Sequence, residues 1–300
     1  MDAEDRDKFT RHRVKLLDGD IHDAIHQIQD KLNKNQRVMV VCNTVKQAQD
    51  VFQELQHVTD NAKLLHSRFI LKDRERIEAE LENADLLVGT QAVEVSLDID
   101  FDSLFTEPAP IDALIQRFGR INRKGKKGIC DVHVCKEGGE YDKYIYSQEK
   151  IERTINAFES VVNDTLQESE IQRLIDEVYR EGYDEKEEDK FKTAKRMFER
   201  HLQDIVPFIE DAKGRKEFNE LFKSVEVVPM DYEREFLAEF DASKYYEARA
   251  YIAQISYSQC ARLMKENKIC ENERISQLFI NVPYDENLGL LLDECNPNIL

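Results

Sequence analysis

The chain has 300 residues, of which 41% are apolar, 35% are charged and none is Trp. Its 43 Lys and Arg residues are outnumbered by 61 Asp and Glu residues, and the formal net charge is -18; this excludes a protein that coats duplex nucleic acid, because such proteins are basic overall. No apolar run approaches the roughly 18 residues of a membrane span, and the first residues MDAEDRDKFTRHR do not resemble a signal peptide, so we expect a cytoplasmic protein. The six cysteines form no C-x-x-C pair, so we expect free thiols and no metal site.

The first half of the sequence alternates short apolar segments with amphipathic ones. The predicted order is helix 21–32, strand 37–44, helix 45–55, strand 62–67, helix 71–83, and strands 85–90, 102–107 and 130–136. Strands separated by helices indicate βαβ units, in which a parallel sheet has helices packed on both faces. The predicted fold class is therefore α/β.

The composition changes near residue 140, where the stretch GGEYDKY indicates a domain boundary. Residues 1–140 have a net charge of -5 and residues 141–300 one of -13. The second part is predicted to be an acidic, mostly helical domain. Two strand-like pieces, 224–231 and 275–285, predict a small β element within it.

A basic cluster, QRFGRINRKGKKG, spans residues 116–128. Pro110 fits the first turn of a helix, and the apolar residues after it recur at helical spacing. The opposite face of that helix is predicted to hold cations outward: Arg117, Arg120, Arg123 and Lys124. Guanidinium forks suit phosphate oxygens and can stabilise a transferring phosphoryl group, but a solvated basic face would have the same pattern.

The stretch DLLVGTQAVEVSLDID, residues 85–100, places polar residues directly after a buried strand. Parallel sheets bind ligands at the carboxyl ends of their strands. Thr90 is suited to donate to a nucleic-acid phosphate, and Asp98 to accept from a ribose hydroxyl. Either residue alone is also an ordinary turn or cap residue.

Four such segments in this order resemble the second RecA-like domain of superfamily 2 helicases. VMVVCNTVKQAQDVFQEL is similar to motif IV, LLHSRF to motif IVa, LLVGTQAVEVSLDID to motif V, and QRFGRINRKG to motif VI with its Q-R-x-G-R-x-x-R pattern complete. The segments LHSRF, QAVEVSLDIDFD and DALIQRFGRINRKG resemble the corresponding segments of the CRISPR-associated helicase of type I interference systems. The tail segments IQRLIDEVY, SVEVVP and PYDENLGLL are similar to the segments after the helicase core in that family.

The resemblance implies a role for individual residues. Arg120 and Arg123 match the catalytic pair that reaches the γ-phosphate of ATP. The implied ATP-binding residues are Gln116, Arg117, Gly119 and Asp98, with Arg117 bracing the motif. The implied nucleic-acid-binding residues are Thr90, His66, Ser67, Arg68, Asn43 and Thr44.

The family also implies an activity and partners. Its members translocate 3′ to 5′ on single-stranded DNA with ATP and Mg²⁺, are recruited by a surveillance complex carrying CRISPR RNA, and work with a histidine-aspartate nuclease, fused or separate. No G-x-x-x-x-G-K-[ST] sequence occurs here, so the phosphate cradle and Mg²⁺ ligands are expected in a first RecA-like domain outside this chain. We therefore expect no ATPase activity from the chain alone. The one His-Asp pair, His22-Asp23, is interpreted as a surface pair.

Two other functions remain open from the residues. One is a standalone, non-catalytic subunit that docks on a protein partner through its acidic tail. The other is an RNA helicase of the same superfamily, because contacts to the backbone are largely blind to sequence and do not separate DNA from RNA.

Overall fold

The computed structural model describes residue 5 and residues 7–94, 98–182, 185–204 and 224–293. Three residues of the predicted motif V, 95–97, lie outside the described residues, as does the last part of the predicted helical stretch, 205–213.

A seven-stranded sheet organises the first part of the fold. Its strands are β1 (His12–Leu17), β2 (Val38–Val41), β3 (Ala62–Leu65), β4 (Leu86–Gly89), β5 (Ser103–Thr106), β6 (Cys130–Cys135) and β7 (Thr165–Leu166). They lie in the order β3-β4-β2-β5-β6-β1-β7, and every pair is parallel except the antiparallel pair of β1 with β7. The predicted parallel α/β sheet is thus confirmed.

The helices between these strands begin and end close to the predicted residues. They are α1 (Ile25–Asn33), α2 (Val45–Leu55), α3 (Leu71–Glu80) and α4 (Ile111–Phe118). The Thr44 side chain caps α2 by accepting a hydrogen bond from the Gln47 N–H at 3.2 Å. The first helix begins later than predicted, because the Asp20 side chain accepts from the N–H groups of His22 and Asp23 and holds residues 21–24 as turns.

Strand β1 was not predicted, because its sequence HRVKLL lies in a charged N-terminal segment. Its residues alternate, with His12 and Val14 buried and the basic residues between them partly exposed. It completes the sheet by pairing in register with β6, from His12 opposite Cys130 to Leu17 opposite Cys135. The period-2 signal was present in the sequence but was obscured by Arg13 and Lys15.

The second part of the chain is mostly helical with a small sheet, as predicted. Its helices are α5 (Gln148–Glu159), α6 (Ile171–Val178), α7 (Glu185–Asp204), α8 (Glu233–Asp241), α9 (Tyr245–Ala248) and α10 (Tyr257–Lys265). A four-stranded sheet has the order β10-β11-β8-β9, formed by β8 (Ser224–Pro229), β9 (Ala253–Ser256), β10 (Ile269–Asn272) and β11 (Gln277–Ile280). A short hairpin, β12 (Tyr284–Asp285) with β13 (Gly289–Leu290), comes next. The sequence pattern had missed β9 and β10.

The main hydrophobic core does not stop near residue 140. It surrounds the seven-stranded sheet and continues through Phe158, Leu166 and Leu174 to Val178. Phe158 lies 5.8 Å from Phe118 between ring centroids, so α5 packs against α4. The proposed division at residue 140 stays a prediction.

No helix in the described ranges combines the length and apolar character that crossing a bilayer would require.

Candidate functional site

The carboxyl edge of the main sheet gathers the residues that come directly after its strands. Asn43 and Thr44 follow β2, Thr90 follows β4 and Glu107 follows β5, and these three strands are neighbours. Helix α4 begins after Pro110 at the same edge, so its side chains reach back towards the strand ends. Ligands of open parallel sheets bind at this edge.

The exposed part of the site is formed by two arginines. Arg120 and Arg123 follow α4, and Arg123 Nε lies 3.2 Å from Asp98 Oδ1 at the surface. The Arg123 N–H donates to Asp100 Oδ1 at 2.9 Å, and Arg120 Nη2 donates to the carbonyl oxygen of Glu94. Partial burial and the positive charge of Arg123 lower the pKa of Arg120. Two cations are thus held side by side with an open approach.

Gln116 and Gly119 lie on the same helix end as these arginines. Gln116 is exposed and Gly119 is half-buried. A Cβ atom at Gly119 would lie 3.3 Å from the Gln116 carbonyl oxygen, so the turn leaves little room for a side chain. Four of the predicted ATP-site residues, namely Gln116, Gly119, Arg120 and Arg123, thus lie in one short segment at the end of α4, and Asp98 is paired with Arg123.

The prediction that Arg117 points outward with the other cations is wrong. Its side chain is completely buried. Nε donates to Glu94 Oε1 at 2.8 Å and Nη1 to Thr106 Oγ1 at 2.6 Å. Nη2 donates to Asn43 Oδ1 at 3.2 Å and to the Tyr146 hydroxyl at 3.3 Å. The guanidinium group fits there because α4 packs against the sheet edge, where the ends of β2 and β5 offer oxygen acceptors.

Two carboxyl groups are buried next to this arginine. The Asn43 N–H donates to Glu107 Oε2 at 2.5 Å, and Asn43 Nδ2 donates to Asp142 Oδ2 at 2.7 Å. Burial, and then the charge of Asp142, raises the pKa of Glu107 to about 8. Burial also raises the pKa of Asp142. The side chain of Asn43, predicted to face a nucleic-acid track, is instead buried and bridges Asp142 and Arg117.

Residues Gly138 and Gly139 make this arrangement possible. A Cβ atom at Gly138 would lie 2.1 Å from Asp142 Oδ2, so a larger residue would displace that carboxyl group. The sequence pattern at this Gly-Gly pair had indicated a domain boundary, and Glu94, Glu107, Asp142 and Tyr146 were not predicted as site residues. An acidic residue directly after an apolar strand was the one available signal, and it is present at Glu107.

His66 and Arg68, which were predicted to line a nucleic-acid track, are also buried. His66 Nε2 lies 3.1 Å from the carbonyl oxygen of Leu288, and Arg68 Nη1 donates to the carbonyl oxygen of Leu292 at 2.8 Å. Burial and then the charge of Arg68 lower the pKa of His66 to about 3. The segment 284–292, which we call the C-terminal strap, covers both side chains, so neither is open to a strand in this structure.

Thr90 is likewise buried, with its N–H donating to the carbonyl oxygen of Leu65 at 3.3 Å. It does not offer its hydroxyl to solvent, as the predicted phosphate contact requires. The neighbouring Gln91 instead links the site, because its Nε2 donates to the carbonyl oxygen of Asn43 at 3.1 Å.

Thr44 and Ser67 remain accessible and line a cavity of about 290 Å³. One wall of this cavity is the segment with Tyr141 and Tyr144, and the other is the turn from β9 into α10, at 254–259. We call it the tail cleft. The loop after β2 forms the floor of the tail cleft, so the cleft lies at the carboxyl edge of the main sheet.

The region around these motifs matches a known family. Residues 34–126 match the family model described as "CRISPR-associated nuclease/helicase Cas3, C-terminal". A putative CRISPR-associated nuclease/helicase Cas3 of Methanocaldococcus jannaschii is 31% identical over 222 residues, which cover 69% of this chain and 30% of that protein. The Cas3 of Methanothermobacter thermautotrophicus is 26% identical over 72% of this chain and 27% of its own length. The chain thus spans about 30% of the length of these curated relatives.

Solved structures extend the likeness of the fold beyond the matched motifs. T. fusca Cas3 with AMPPNP has a TM-score of 0.66 and 22% identity, covering 95% of this chain and 41% of that one. A chain of a CRISPR RNA-guided surveillance complex in a pre-nicking state has a TM-score of 0.64 and 19% identity, covering 94% and 44%. The helicase resemblance predicted from the four motifs is confirmed, and the fold of the tail agrees as well.

Proposed function

Because this chain carries the C-terminal helicase domain of the Cas3 family, we propose that it is the C-terminal motor half of an ATP-dependent, 3′ to 5′ single-stranded DNA translocase in CRISPR defence. Its part is to present two arginines to the phosphates of ATP and to guide one DNA strand. The observation that supports this most is that Arg120 and Arg123 are close enough for their charges to interact, with the exposed Arg123 paired to Asp98.

Two adjacent cations repel each other, and an anion bound between them offsets this electrostatic repulsion. A triphosphate is such an anion, and guanidinium groups bind its oxygens in a planar, two-pronged geometry. Arg120 is fixed by the Glu94 carbonyl, while Arg123 pairs with the exposed carboxylate of Asp98, which a phosphate can replace. Negative charge that develops on the transferring phosphoryl group would therefore be stabilised here.

Arg117 has a positioning role in this proposal. Glu94 accepts from Arg117 through its carboxylate and from Arg120 through its carbonyl oxygen. Arg117 thus fixes the position of Glu94, and Glu94 in turn orients the half-buried Arg120. Gln116 and Gly119 lie at the same helix end, and Asp98 is the residue proposed to meet the nucleotide ribose.

ATP with Mg²⁺ fits the residues present only in part. The two arginines suit the terminal phosphates, but the 300 residues contain no phosphate-binding G-x-x-x-x-G-K-[ST] loop. We propose that another RecA-like domain cradles the phosphates and holds Mg²⁺, which would neutralise developing charge during phosphoryl transfer. The catalytic unit then forms between the two domains.

The strand and the further partners are inferred from the relatives. Thr44 and Ser67 line the tail cleft at the carboxyl edge of the sheet and are the side chains proposed to meet the strand there. The relatives' names combine a nuclease with a helicase, and one similar structure is a chain of a surveillance complex. We accordingly propose a histidine-aspartate nuclease and a CRISPR RNA-guided complex as partners.

The experiment changes Arg120→Ala and Arg123→Ala separately in the protein that joins this chain to a P-loop domain. DNA-stimulated ATP hydrolysis should fall on the order of 10³-fold, as measured for other arginine fingers, while binding to single-stranded DNA changes little. Lys124→Ala is the matched control, since Lys124 is an exposed cation one residue from Arg123. Wild-type turnover in both arginine variants, or ATP turnover by the 300-residue chain alone, would contradict the proposal.

A further inference from the structure

The tail cleft has a composition that is unusual for this chain. The chain holds 61 acidic residues among 300, yet none of the described residues that line the cleft is Asp or Glu. The lining consists of hydroxyl and amide side chains, two tyrosines, a few aliphatic residues and Arg68, whose guanidinium group is turned to the C-terminal strap and is not among the groups that meet the ligand. A surface free of carboxylates in a protein of net charge -18 favours an anionic occupant.

The wall formed by Tyr141 and Tyr144 adds an aromatic surface. The two rings lie 6.2 Å apart between centroids at 44° to each other. The Lys143 Nζ atom lies 5.2 Å from the centroid of the Tyr144 ring and brings a cation to the wall. Both tyrosines are half-buried, which leaves ring surface accessible.

Buried contacts hold this wall in place. Tyr141 and Tyr144 flank Asp142 on a 3₁₀ turn, Asp142–Tyr144. The Asp142 side chain is buried and accepts from Asn43 at 2.7 Å on the floor of the cleft. The rings are therefore positioned before a ligand arrives, which reduces the entropy cost of binding.

We propose that the tail cleft is a base-stacking site, where one or more unpaired bases of a single nucleic-acid strand lie against Tyr141 and Tyr144. This inference rests on the proposed function only for the choice of a strand as occupant. Aromatic rings stack on bases of any type, so the site binds a translocating strand whatever its base sequence. The hydroxyl groups of Thr44 and Ser67 and the nearby Lys143 are available for the phosphates. The cavity of about 290 Å³ is near the lower end of ligand-site volumes, enough for a short part of a strand.

The test compares two labelled oligonucleotides of about 10 nucleotides, within the span of known single-strand sites, on the purified 300-residue chain. One is oligo-dT and the other is an abasic strand of equal length and charge. The unmodified chain should bind oligo-dT roughly tenfold more tightly, a typical cost of losing base stacking. The Tyr141→Ala, Tyr144→Ala double variant should lose that preference, and the corresponding double Phe variant should keep it.

The matched control is Tyr246→Ala, which removes an exposed tyrosine on α9 that does not line the cleft and should leave both affinities unchanged. Equal binding of the dT and abasic strands by the unmodified chain overturns the inference, as does an Ala variant that folds normally and keeps the preference. If dTMP competes as tightly as the strand, the site serves a free nucleotide and the inference is wrong. ATP hydrolysis by the arginine variants is measured separately, so it can support the proposed function when the stacking test fails.

Discussion

Arg117 and Arg120 lie three positions apart at the end of one helix, but their guanidinium groups have opposite surroundings. Arg117 is enclosed by acceptors from Glu94, Thr106 and Asn43, whereas Arg120 is half-buried beside the open surface. At the scale of single residues, this contrast separates a side chain that holds the site together from one that can meet a ligand.

The first residue-scale prediction concerns Arg117→Ala. Removing the guanidinium leaves the Glu94 carboxylate and neighbouring acceptors without their donor, which typically costs about 3–5 kcal/mol when one member of a buried ion pair is removed. Urea unfolding of the purified chain measures the loss. Arg123→Ala is the control, because its exposed ion pair should contribute less than about 1 kcal/mol. Equal losses in the two variants would contradict the structural role of Arg117.

The second residue-scale prediction is a pH dependence that Glu107 causes. Its pKa in the folded protein, about 8, lies above its ordinary value, so between the two values the folded state holds a proton that the unfolded state has lost. Stability should therefore fall as the pH rises, by on the order of 1 kcal/mol between about pH 7 and pH 9. Glu107→Gln, which resembles the protonated acid, should remove this loss.

Urea unfolding of wild type and Glu107→Gln at both pH values gives the comparison. The two proteins differ only at position 107, so the difference between their pH dependences reports on Glu107 and on Asp142, whose charge raises the pKa of Glu107. The exposed Glu137→Gln is the control and should keep the wild-type pH dependence. An unchanged slope in Glu107→Gln would show that Glu107 is ionised in the folded protein across this range.

At the scale of elements, the C-terminal strap is the clearest case of a short segment with a specific packing role. Gly289 has a φ of +72°, and a Cβ atom there would lie 2.7 Å from His66 Cε1 and 2.9 Å from the Arg68 carbonyl oxygen. The Leu290 N–H donates to the same carbonyl at 3.0 Å. Glycine is thus needed both for the backbone conformation and for the close approach of the strap.

Gly289→Ala tests this contact. Gly128 has the same φ of +72° with nothing within 4 Å of its virtual Cβ, so Gly128→Ala measures the backbone strain alone, about 1–2 kcal/mol. Gly289→Ala should cost about 1–3 kcal/mol more, because it also overpacks the interior. Urea unfolding gives both values. Equal losses of stability in the two variants would mean that the C-terminal strap moves away from the added methyl group at no cost in free energy.

At the scale of the whole molecule, the main core crosses the boundary predicted at residue 140. Strand β1 has β6 on one side and β7 on the other, and the hydroxyl of Tyr179 on the far side of that boundary donates to Asp112 Oδ1. Asp142 and Tyr146 also close the site around Arg117. The residues after position 140 thus complete the site and its core.

We predict that a chain ending at residue 140 loses cooperative unfolding, whereas one ending at residue 182 retains it. The shorter chain would expose the face of α4 and β1 that Phe158 and Leu166 cover, and burial of such side chains contributes about 1.5–3 kcal/mol each. Thermal unfolding followed by circular dichroism distinguishes the two. A cooperative transition in the shorter chain would support a domain boundary at residue 140.

The sequence by itself determined the order of the strands and helices between residues 21 and 136, the place of motif VI and the resemblance to a helicase family. These depend on local periodicity and on residues at fixed spacing, as at 45–55, where the predicted and observed helices coincide. Arg120 and Arg123 also lie within one short segment of the chain. Local patterns of this kind persist in any fold that contains the segment.

Only the tertiary structure decided which polar residues are buried. Asn43 meets Asp142, Arg117 meets Tyr146, and His66 meets Leu288 across more than 200 positions. A side chain's direction depends on which distant segment packs over it, and a charged residue becomes favourable inside only where that segment supplies its partners. The motif pattern therefore predicted candidate residues for the site, while packing decided which of them are accessible and which lie buried.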